Sequence, residues 1–235
     1  MFGYAGRSEA DVRELHAGLK RACENDPTLS GIAPGCSRHC HGWGYVIRAA
    51  NGLFHYRTAT PIYQDDTPLP RLAGEIRAIF HGRFASNEAL AGDIFSHPFV
   101  AATGREIIFL AHNGGLQPDP PAERQVDTEW ALEQIIQAGG LAQALPTLKQ
   151  HTKSALNLLV LSIDRSNGAP AVLRGLNYFL NSHDQARENY YQMYLGTMPG
   201  GRVFVSSTIR NDRAHVQGLA HLEAAAFGEL FTLAP

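Results

Sequence analysis

The chain has 235 residues, a formal net charge of -2 at pH 7 and no basic block, so nothing in its composition predicts a nucleic-acid surface. No apolar run approaches the ~20 residues needed to span a bilayer, which argues against a membrane protein. Three cysteines are too few for a disulfide framework and the N-terminus lacks a signal-peptide layout, so we expect a cytoplasmic protein with a single domain over residues 1–235.

The first half of the chain predicts one helix followed by strands. Ser8 with Asp11 is typical of a helix N-cap, apolar residues then recur at helical spacing, and Pro27 predicts a stop. Apolar runs on both sides of Asn51-Gly52 predict a hairpin. Two more strands are expected in "EIRAIFHGRFAS" and "EIIFLAHNG", the second of which is buried because its apolar run is continuous.

The second half predicts two helices and then several strands. Asp127 or Thr128 is expected to cap a helix that Gly139-Gly140 ends, and a second helix follows over residues 141–150. Strand-like segments come next, "ALNLLVLSID", "AVLRGL", "YYQMYLGT" and "RVFVSST", with a turn at Asn167-Gly168 after the first. Because the helices lie between groups of hairpin-linked strands, we expect an α+β fold and not a doubly wound parallel sheet.

Reactive or charged side chains follow several of these rigid elements, in "HGRFAS", "SHPF", "AHNGGL" and "VDTE". Taken singly, Arg83 is typical of a surface residue, His97 of a loop and Asp127 of a helix cap. The segment Asn113-Gly114 has two interpretations. It is either a simple hairpin turn or the point where a strand stops and presents the groups of a site.

The ordered segments "HGWGY", "HGRFAS", "SHPF", "AHNGGL" and "VDTE" resemble the glutaminase domain of class II glutamine amidotransferases, which are N-terminal-nucleophile hydrolases. The resemblance runs from Met1 to beyond Glu129, and the later strands are similar to the second half of that domain. It implies a four-layer αββα sandwich, in which two antiparallel sheets pack between helical layers. The function it implies is hydrolysis of a γ-glutamyl amide, in glutamine or in a γ-glutamyl peptide.

The resemblance also implies the roles of individual residues. Arg83 would bind the substrate α-carboxylate as a bidentate pair, and Asp127 would accept from the α-ammonium. The side-chain amide of Asn113 and the backbone N–H of Gly114 would form the oxyanion hole, where each donor is worth on the order of 10²–10³ in rate. Three further residues are expected to form or support the pocket wall: His97, Trp43 and Gly44. His112 is expected to be structural.

The nucleophile of this family is a cysteine at the N-terminus of the mature chain, which uses its own α-amino group as the base. Family members commonly begin Met-Cys-Arg, one further residue, and then Phe or Leu, Gly and Tyr, whereas this chain begins Met1-Phe2-Gly3-Tyr4. We expect the cysteine just upstream of Phe2, because Met1 matches an internal position. A chain that starts at Met1 is then expected to release no ammonia from glutamine above background. The alternative is a catalytically inactive domain that binds glutamine or γ-glutamyl ligands.

The internal cysteines are poorer candidates for the nucleophile. Cys23 lies on the apolar face of the first predicted helix and is expected in the core. Cys36 and Cys40 alternate with His39 and His41, which also suggests zinc, but the spacing fits no common zinc motif and no second ligand pair is present. We therefore predict no metal and no cofactor. His41 departs from the family pattern, which has an aspartate there. Three serines are expected to be positions of the fold: Ser86, Ser206 and Ser207.

The substrate and the partner stay open at this stage. Classical members of the family fuse the glutaminase domain to a synthetase or transferase that consumes the ammonia. Free-standing members resemble hydrolases of γ-glutamyl amides or peptides. A glutaminase subunit of a separate synthase is the alternative, and a pure interaction module would bind no such ligand.

Overall fold

Twelve strands and five α-helices make up the part of the chain that the structure, a computed structural model, describes: residues 1–85, 87–118, 125–166 and 170–235. The strands are β1 (Phe2–Gly6), β2 (Trp43–Ala49), β3 (Gly52–Thr58), β4 (Ile76–Gly82), β5 (Phe99–Ala102), β6 (Glu106–Leu116), β7 (Thr152–Asp164), β8 (Val172–Leu176), β9 (Met193–Met198), β10 (Gly201–Ser206), β11 (Ala220–Ala224) and β12 (Leu230–Thr232). The helices are α1 (Glu9–Glu24), α2 (Asp127–Gln137), α3 (Leu141–Gln150), α4 (Gln185–Tyr191) and α5 (Ser207–Asn211). None of these described helices is long and apolar enough to cross a membrane.

The strands form two sheets in which all neighbours pair antiparallel, so the α+β prediction is confirmed. The seven-stranded sheet has the order β11-β9-β10-β1-β4-β2-β3, and the five-stranded sheet has the order β12-β8-β7-β6-β5. In the first sheet β1 lies between β10 and β4, so its residues are covered on both edges. In the second sheet β6 lies between β5 and β7.

Three hydrophobic clusters follow from the two-residue alternation of side chains along these strands. In β1, Phe2 and Tyr4 face α1, whereas Met1 and Ala5 belong to a cluster that also contains Leu159 of the five-stranded sheet. The other face of the five-stranded sheet packs against α2 and α3. Because the central strands are buried on both faces, their sequences are continuous apolar runs and not alternating ones.

The side chains that fill the space between the two sheets are apolar at one end and polar at the other. The candidate site lies at the polar end. Along β4, Ile79 packs between the sheets, and His81 and Arg83 continue the same side of the strand. Along β6, Phe109 and Ala111 pack there, and Asn113 continues that side. Since side chains two residues apart share a face, the apolar contact between the sheets gives way to a polar space beyond these residues.

Many of the predicted elements are confirmed. Ser8 is the N-cap of α1 and its Oγ accepts from the Asp11 N–H at 3.1 Å, and Cys23 is 1% exposed in the core. The hairpin of β2 and β3 closes with Ala49 opposite Gly52. The helix predicted over 141–150 is α3. The predicted turn at Asn167-Gly168 lies outside the described residues, as does Ser86.

Two predicted boundaries are wrong. The segment "YYQMYLGT" is not a strand throughout, because Tyr190 and Tyr191 end α4 and β9 begins only at Met193. The helix α2 begins at Asp127, so neither Asp127 nor Thr128 is its N-cap; that position belongs to Val126. The Val126 N–H donates instead to the Glu129 carboxylate at 3.1 Å.

Candidate active site

A cavity of about 880 Å³ lies beyond the polar end of the space between the sheets. Its walls come from the end of β4, the end of β6, the first turn of α2 and the loop after α1. Five of the residues predicted for a site line it: Arg83, His97, Asn113, Gly114 and Asp127. Met1 lines it as well, and the Met1 nitrogen donates to Ser206 Oγ at 3.0 Å.

Arg83 follows β4 directly and is held by main-chain hydrogen bonds to the segment that leads into β2. Its N–H donates to Gly42 at 2.9 Å, and its carbonyl accepts from the His41 N–H at 3.0 Å. The residue is only 6% exposed, and its Nη1 donates to the Leu90 carbonyl at 2.7 Å. Among the described residues, no carboxylate lies within 4 Å of its guanidinium, and Nε and Nη2 have no hydrogen-bond partner. Burial lowers the pKa of Arg83, and the charge of Asp127 opposes that shift.

Asp127 supplies an ionised carboxylate to the same cavity. Its Oδ2 accepts from the Leu116 N–H at 2.9 Å and lies 3.7 Å from Nδ1 of His112. Burial by itself would raise the pKa of Asp127, but the His112 ring and the Leu116 N–H outweigh it and lower the pKa to about 2. The side chain therefore stays negative at every pH at which the protein is handled, and it anchors the start of α2 to the end of β6.

Asn113 and Gly114 lie inside β6, not at its end. Neither sequence interpretation of this segment is correct as stated, because the strand continues to Leu116 with a register shift between Gly114 and Leu116. Gly114 has a φ of +142°, and a Cβ there would lie 2.0 Å from the Ala155 carbonyl oxygen. The side-chain amide of Asn113 has no hydrogen bond to any residue that the structure describes. An irregular strand thus presents a free amide and an exposed glycine to the cavity.

His97 and His112 hold these walls together through Thr128. His97 Nε2 lies 2.8 Å from Thr128 Oγ1, which in turn lies 3.4 Å from His112 Nδ1. His112 Nε2 donates to the Ala155 carbonyl at 3.0 Å, because a carbonyl oxygen can only accept. Both nitrogens of His112 thus lie near groups of the protein, and the residue also lines the cavity.

His81 is a cavity residue that the sequence reasoning missed. It is 5% exposed, its ring lies 4.3 Å from that of His97, and the Nδ1 atoms of both rings are buried without a hydrogen-bond partner. Burial lowers the pKa of both histidines well below the ordinary value, so both are neutral. The signal was present in the spacing, since His81 precedes Arg83 by two residues and shares its face of β4.

Trp43 and Gly44 do not line the cavity. Trp43 is fully buried in the core beside α1, and its Nε1 donates to Asp65 Oδ2 at 2.9 Å. Gly44 instead packs against the backbone of His97, which does line the cavity: a Cβ at this position would be 2.4 Å from the His97 carbonyl oxygen. Its lack of a side chain lets the His97 loop approach β2.

The cysteine and histidine segment before β2 is divided among separate roles. His39 lines the cavity, and its Nε2 lies 2.9 Å from Asp26 Oδ2, whereas the Nδ1 atom of His41 accepts from the Ala85 N–H at 2.8 Å. Cys36 and Cys40 are free thiols. Within the described ranges, no three His, Cys, Asp or Glu side chains are placed to hold a metal ion. Ser206 and Ser207 are buried, and both hydroxyls make hydrogen bonds.

No model of a known protein family matches the chain, and no curated protein matches it. Chemically, the cavity combines a buried cation, an ionised carboxylate and a side-chain amide, and both the cation and the amide keep donors that no described residue uses. Such a set suits a small zwitterion that carries an additional carbonyl group.

Proposed function

We propose that this chain is a class II glutamine amidotransferase-like hydrolase that acts on the γ-amide of glutamine or of a γ-glutamyl compound. The order in which α1, the two sheets and the pair α2 and α3 pack supports the four-layer αββα sandwich and the N-terminal-nucleophile hydrolase fold. The same site would serve a free-standing hydrolase or the glutaminase subunit of a separate synthase.

The observation that carries the proposal is the incomplete pairing of Arg83. Arg83 is only 6% exposed as a residue, yet among the described residues only the Leu90 carbonyl accepts a hydrogen bond from its guanidinium. Burying a charge without a partner is costly, so a carboxylate ligand would bind strongly to the free Nε and Nη2 edge. The nearby Asp127 carboxylate, which is more than 4 Å away, suits an ammonium group on the same ligand. An α-amino acid head group carries both charges.

The remaining groups suit attack on an amide carbonyl. With the head group between Arg83 and Asp127, the γ-carbonyl oxygen would accept from the Asn113 side-chain amide and the Gly114 N–H as it becomes an oxyanion. We place the attacking thiolate on a cysteine two residues upstream of Met1, about 7 Å farther along the strand direction. Met1 lines the cavity, so a continuation of β1 would enter it.

The reaction balances as two acyl transfers. The thiolate forms a bond to the carbonyl carbon of the γ-amide, the C–N bond breaks, and the amine leaves after taking the proton that the thiol gave up to the α-amino base. Water then attacks the thioester carbonyl, the C–S bond breaks, and a proton from that water passes by way of the α-amino base to the departing sulfur as glutamate is released. The overall change is the hydrolysis of one amide bond.

The test compares two forms of the protein, the chain beginning at Met1 and the same chain extended by Met-Cys-Arg upstream of Met1. Glutamate release from glutamine is measured by an enzyme-coupled assay, and glutamine binding by calorimetry. We expect the extended chain to turn over, its cysteine-to-serine variant to be inactive, and the chain beginning at Met1 to bind without turnover.

A second experiment tests the role of Arg83 with the variant Arg83→Lys, and Arg57→Lys is the matched control. Arg57 is also partly buried and donates to carbonyl groups, those of Ile94 and Ser96 at 3.2 Å each, but it lies outside the cavity. We expect Arg83→Lys to weaken glutamine binding by roughly 10–100-fold, since it loses the two-pronged contact. Folded protein in both forms that neither binds nor hydrolyses glutamine would refute the proposal.

A further inference from the structure

Several of the residues that line the cavity are apolar or aromatic and pack in one hydrophobic cluster. We name it the apolar lobe and define it by six lining residues: Leu29, Ile32, Ala33, Phe84, Tyr190 and Tyr191. Leu29 and the two tyrosines are buried, whereas Ile32, Ala33 and Phe84 keep part of their surface exposed. Volumes of about 300–1,000 Å³ hold drug-sized ligands, so a cavity of about 880 Å³ is larger than the ten non-hydrogen atoms of glutamine require.

The apolar lobe adjoins the position where the amide would react. Ala155 packs in the same cluster as Leu29 and Tyr190, and its carbonyl oxygen would lie 2.0 Å from a Cβ added at Gly114. Phe84 is the residue after Arg83. A γ-glutamyl group placed between Arg83 and Asp127, with its carbonyl at Gly114, would therefore direct the amine part of the amide toward the lobe.

The lobe offers little free charge to that amine part. Its ionisable neighbour, His39, is already held by Asp26, which is 1% exposed and also accepts from Thr208 Oγ1 at 3.0 Å. Burial raises the pKa of Tyr190 well above its usual range, so its hydroxyl stays neutral. Lys153 also lines the cavity, and its side chain is exposed to solvent and lies outside the cluster that forms the lobe.

We infer that the preferred substrate is a γ-glutamyl amide of an apolar amine, whose alkyl or aryl group fills the apolar lobe. This inference rests on the proposed function, since it uses the same grip on the γ-glutamyl group. Hydrolysis of such a compound consumes one water, breaks the amide C–N bond and yields glutamate and the free amine. Each buried methylene group raises affinity roughly fourfold. A γ-glutamyl amide whose amine part has several carbons is therefore expected to bind far more tightly than glutamine, whose amide carries no alkyl group.

The experiment measures binding to the chain beginning at Met1 by calorimetry, with three ligands. These are glutamine, γ-glutamylisoamylamide, whose amine is apolar, and γ-glutamylglutamate, whose amine part carries two carboxylates. We expect the isoamylamide to bind at least tenfold more tightly than glutamine, and γ-glutamylglutamate to bind no more tightly than glutamine. Equal affinities for glutamine and the isoamylamide would overturn the inference and leave the proposed function standing. Tighter binding of γ-glutamylglutamate would overturn it in favour of an anionic amine part.

Two variants test the lobe itself. Ala33→Phe fills it, and Ile32→Ser makes it polar; each is expected to remove at least tenfold of the preference for the isoamylamide while glutamine affinity stays within about threefold. Ile94→Ser is the control, because Ile94 is 62% exposed and lies outside the cavity. Retained glutamine binding shows that each variant is folded. An unchanged preference in both lobe variants would overturn the inference, and no binding of any ligand would overturn it together with the proposed function.

Discussion

Gly114 is the position in the site where backbone conformation and packing both exclude a side chain. Its φ is +142°, and an added Cβ would lie 2.0 Å from a main-chain oxygen of β7, which no side-chain rotation can move away. A non-glycine residue in so sparse a region costs about 1–3 kcal/mol. For a chain of this length each kcal/mol lowers the melting temperature by roughly 2–4 °C. Gly114→Ala is therefore expected to lower it by about 2–12 °C from backbone strain, and further because β6 and β7 must separate.

The neighbouring glycine supplies the matched control for this experiment. At Gly115 the φ lies outside the left-handed region, and the nearest atom to an added Cβ is the Ser154 hydroxyl oxygen at 3.3 Å, the end of a side chain. Gly115→Ala should therefore melt within about 1–2 °C of the parent, since surface-type substitutions shift stability by about 0.5 kcal/mol or less. Thermal unfolding followed by circular dichroism measures both. Equal melting temperatures for the two variants would refute the reasoning about Gly114.

Three further outcomes are expected. Asn113→Ala should leave the melting temperature unchanged, because its amide has no hydrogen bond to the described residues, yet lower turnover of the cysteine-extended chain about 10²–10³-fold; a stability loss without a rate loss would contradict this. Cys23 is 1% exposed and burial raises the pKa of its thiol to about 12, so iodoacetamide should label Cys40 and spare Cys23 until urea unfolds the chain, as read by mass spectrometry. Burial lowers the pKa of His16 to about 4 beside Trp43, and the unfolded chain has a value near 6.5. The unfolded state therefore takes up the extra proton below pH 6.5, and about 2 kcal/mol of stability is lost from pH 8 to pH 5. His16→Phe should remove that loss in urea titrations at the two pH values, and an unchanged difference would count against it.

The elements that the sequence predicts well are those whose local chemistry and burial agree. Ser8 caps α1 because its hydroxyl satisfies an N–H that the helix leaves free, and no tertiary contact is needed to foresee it. The hairpin at Asn51-Gly52 is similar, since two residues with turn chemistry separate two apolar runs. Burial of β6 on both faces shows in its continuous apolar residues. Local signals and tertiary packing point to the same structure in each case.

The mistaken boundaries occur where packing decides between two locally acceptable structures. Tyr190 and Tyr191 favour a strand by propensity, but α4 begins at the Asp184 cap, whose carboxylate accepts from the Ala186 N–H at 3.0 Å, and extends through both tyrosines. Gly114 suggests a turn by its flexibility, yet β7 holds it within a strand through a register shift. A register shift depends on the partner strand, which a single sequence does not reveal.

The predictions for the site residues also divide into those that the sequence supports and those that depend on packing. Arg83, Asn113 and Asp127 were predicted because their order resembles a family pattern, and the cavity brings all three together with His97. His81 was missed although it lies in the segment "HGRFAS", two residues before Arg83, and therefore shares its face of β4. Trp43 was expected at the pocket because the resemblance implied it, but its side chain lies in the core beside α1. Position along a strand decides which of two neighbours faces the cavity, and one residue reverses the answer.

The cavity also links ligand binding to the stability of the fold. Burial lowers the pKa of Arg83, which means that the folded protein holds this charge at a cost when the cavity has no anion in it. A ligand carboxylate on the free edge of the guanidinium would offset that cost, and its ammonium group would lie near Asp127, a residue that ties α2 to β6. A zwitterionic ligand thus connects the end of the seven-stranded sheet to the end of the five-stranded sheet. Binding that favours the folded state raises its stability as the ligand concentration exceeds Kd, so an anion or a cation alone would stabilise the protein less than a molecule that carries both charges.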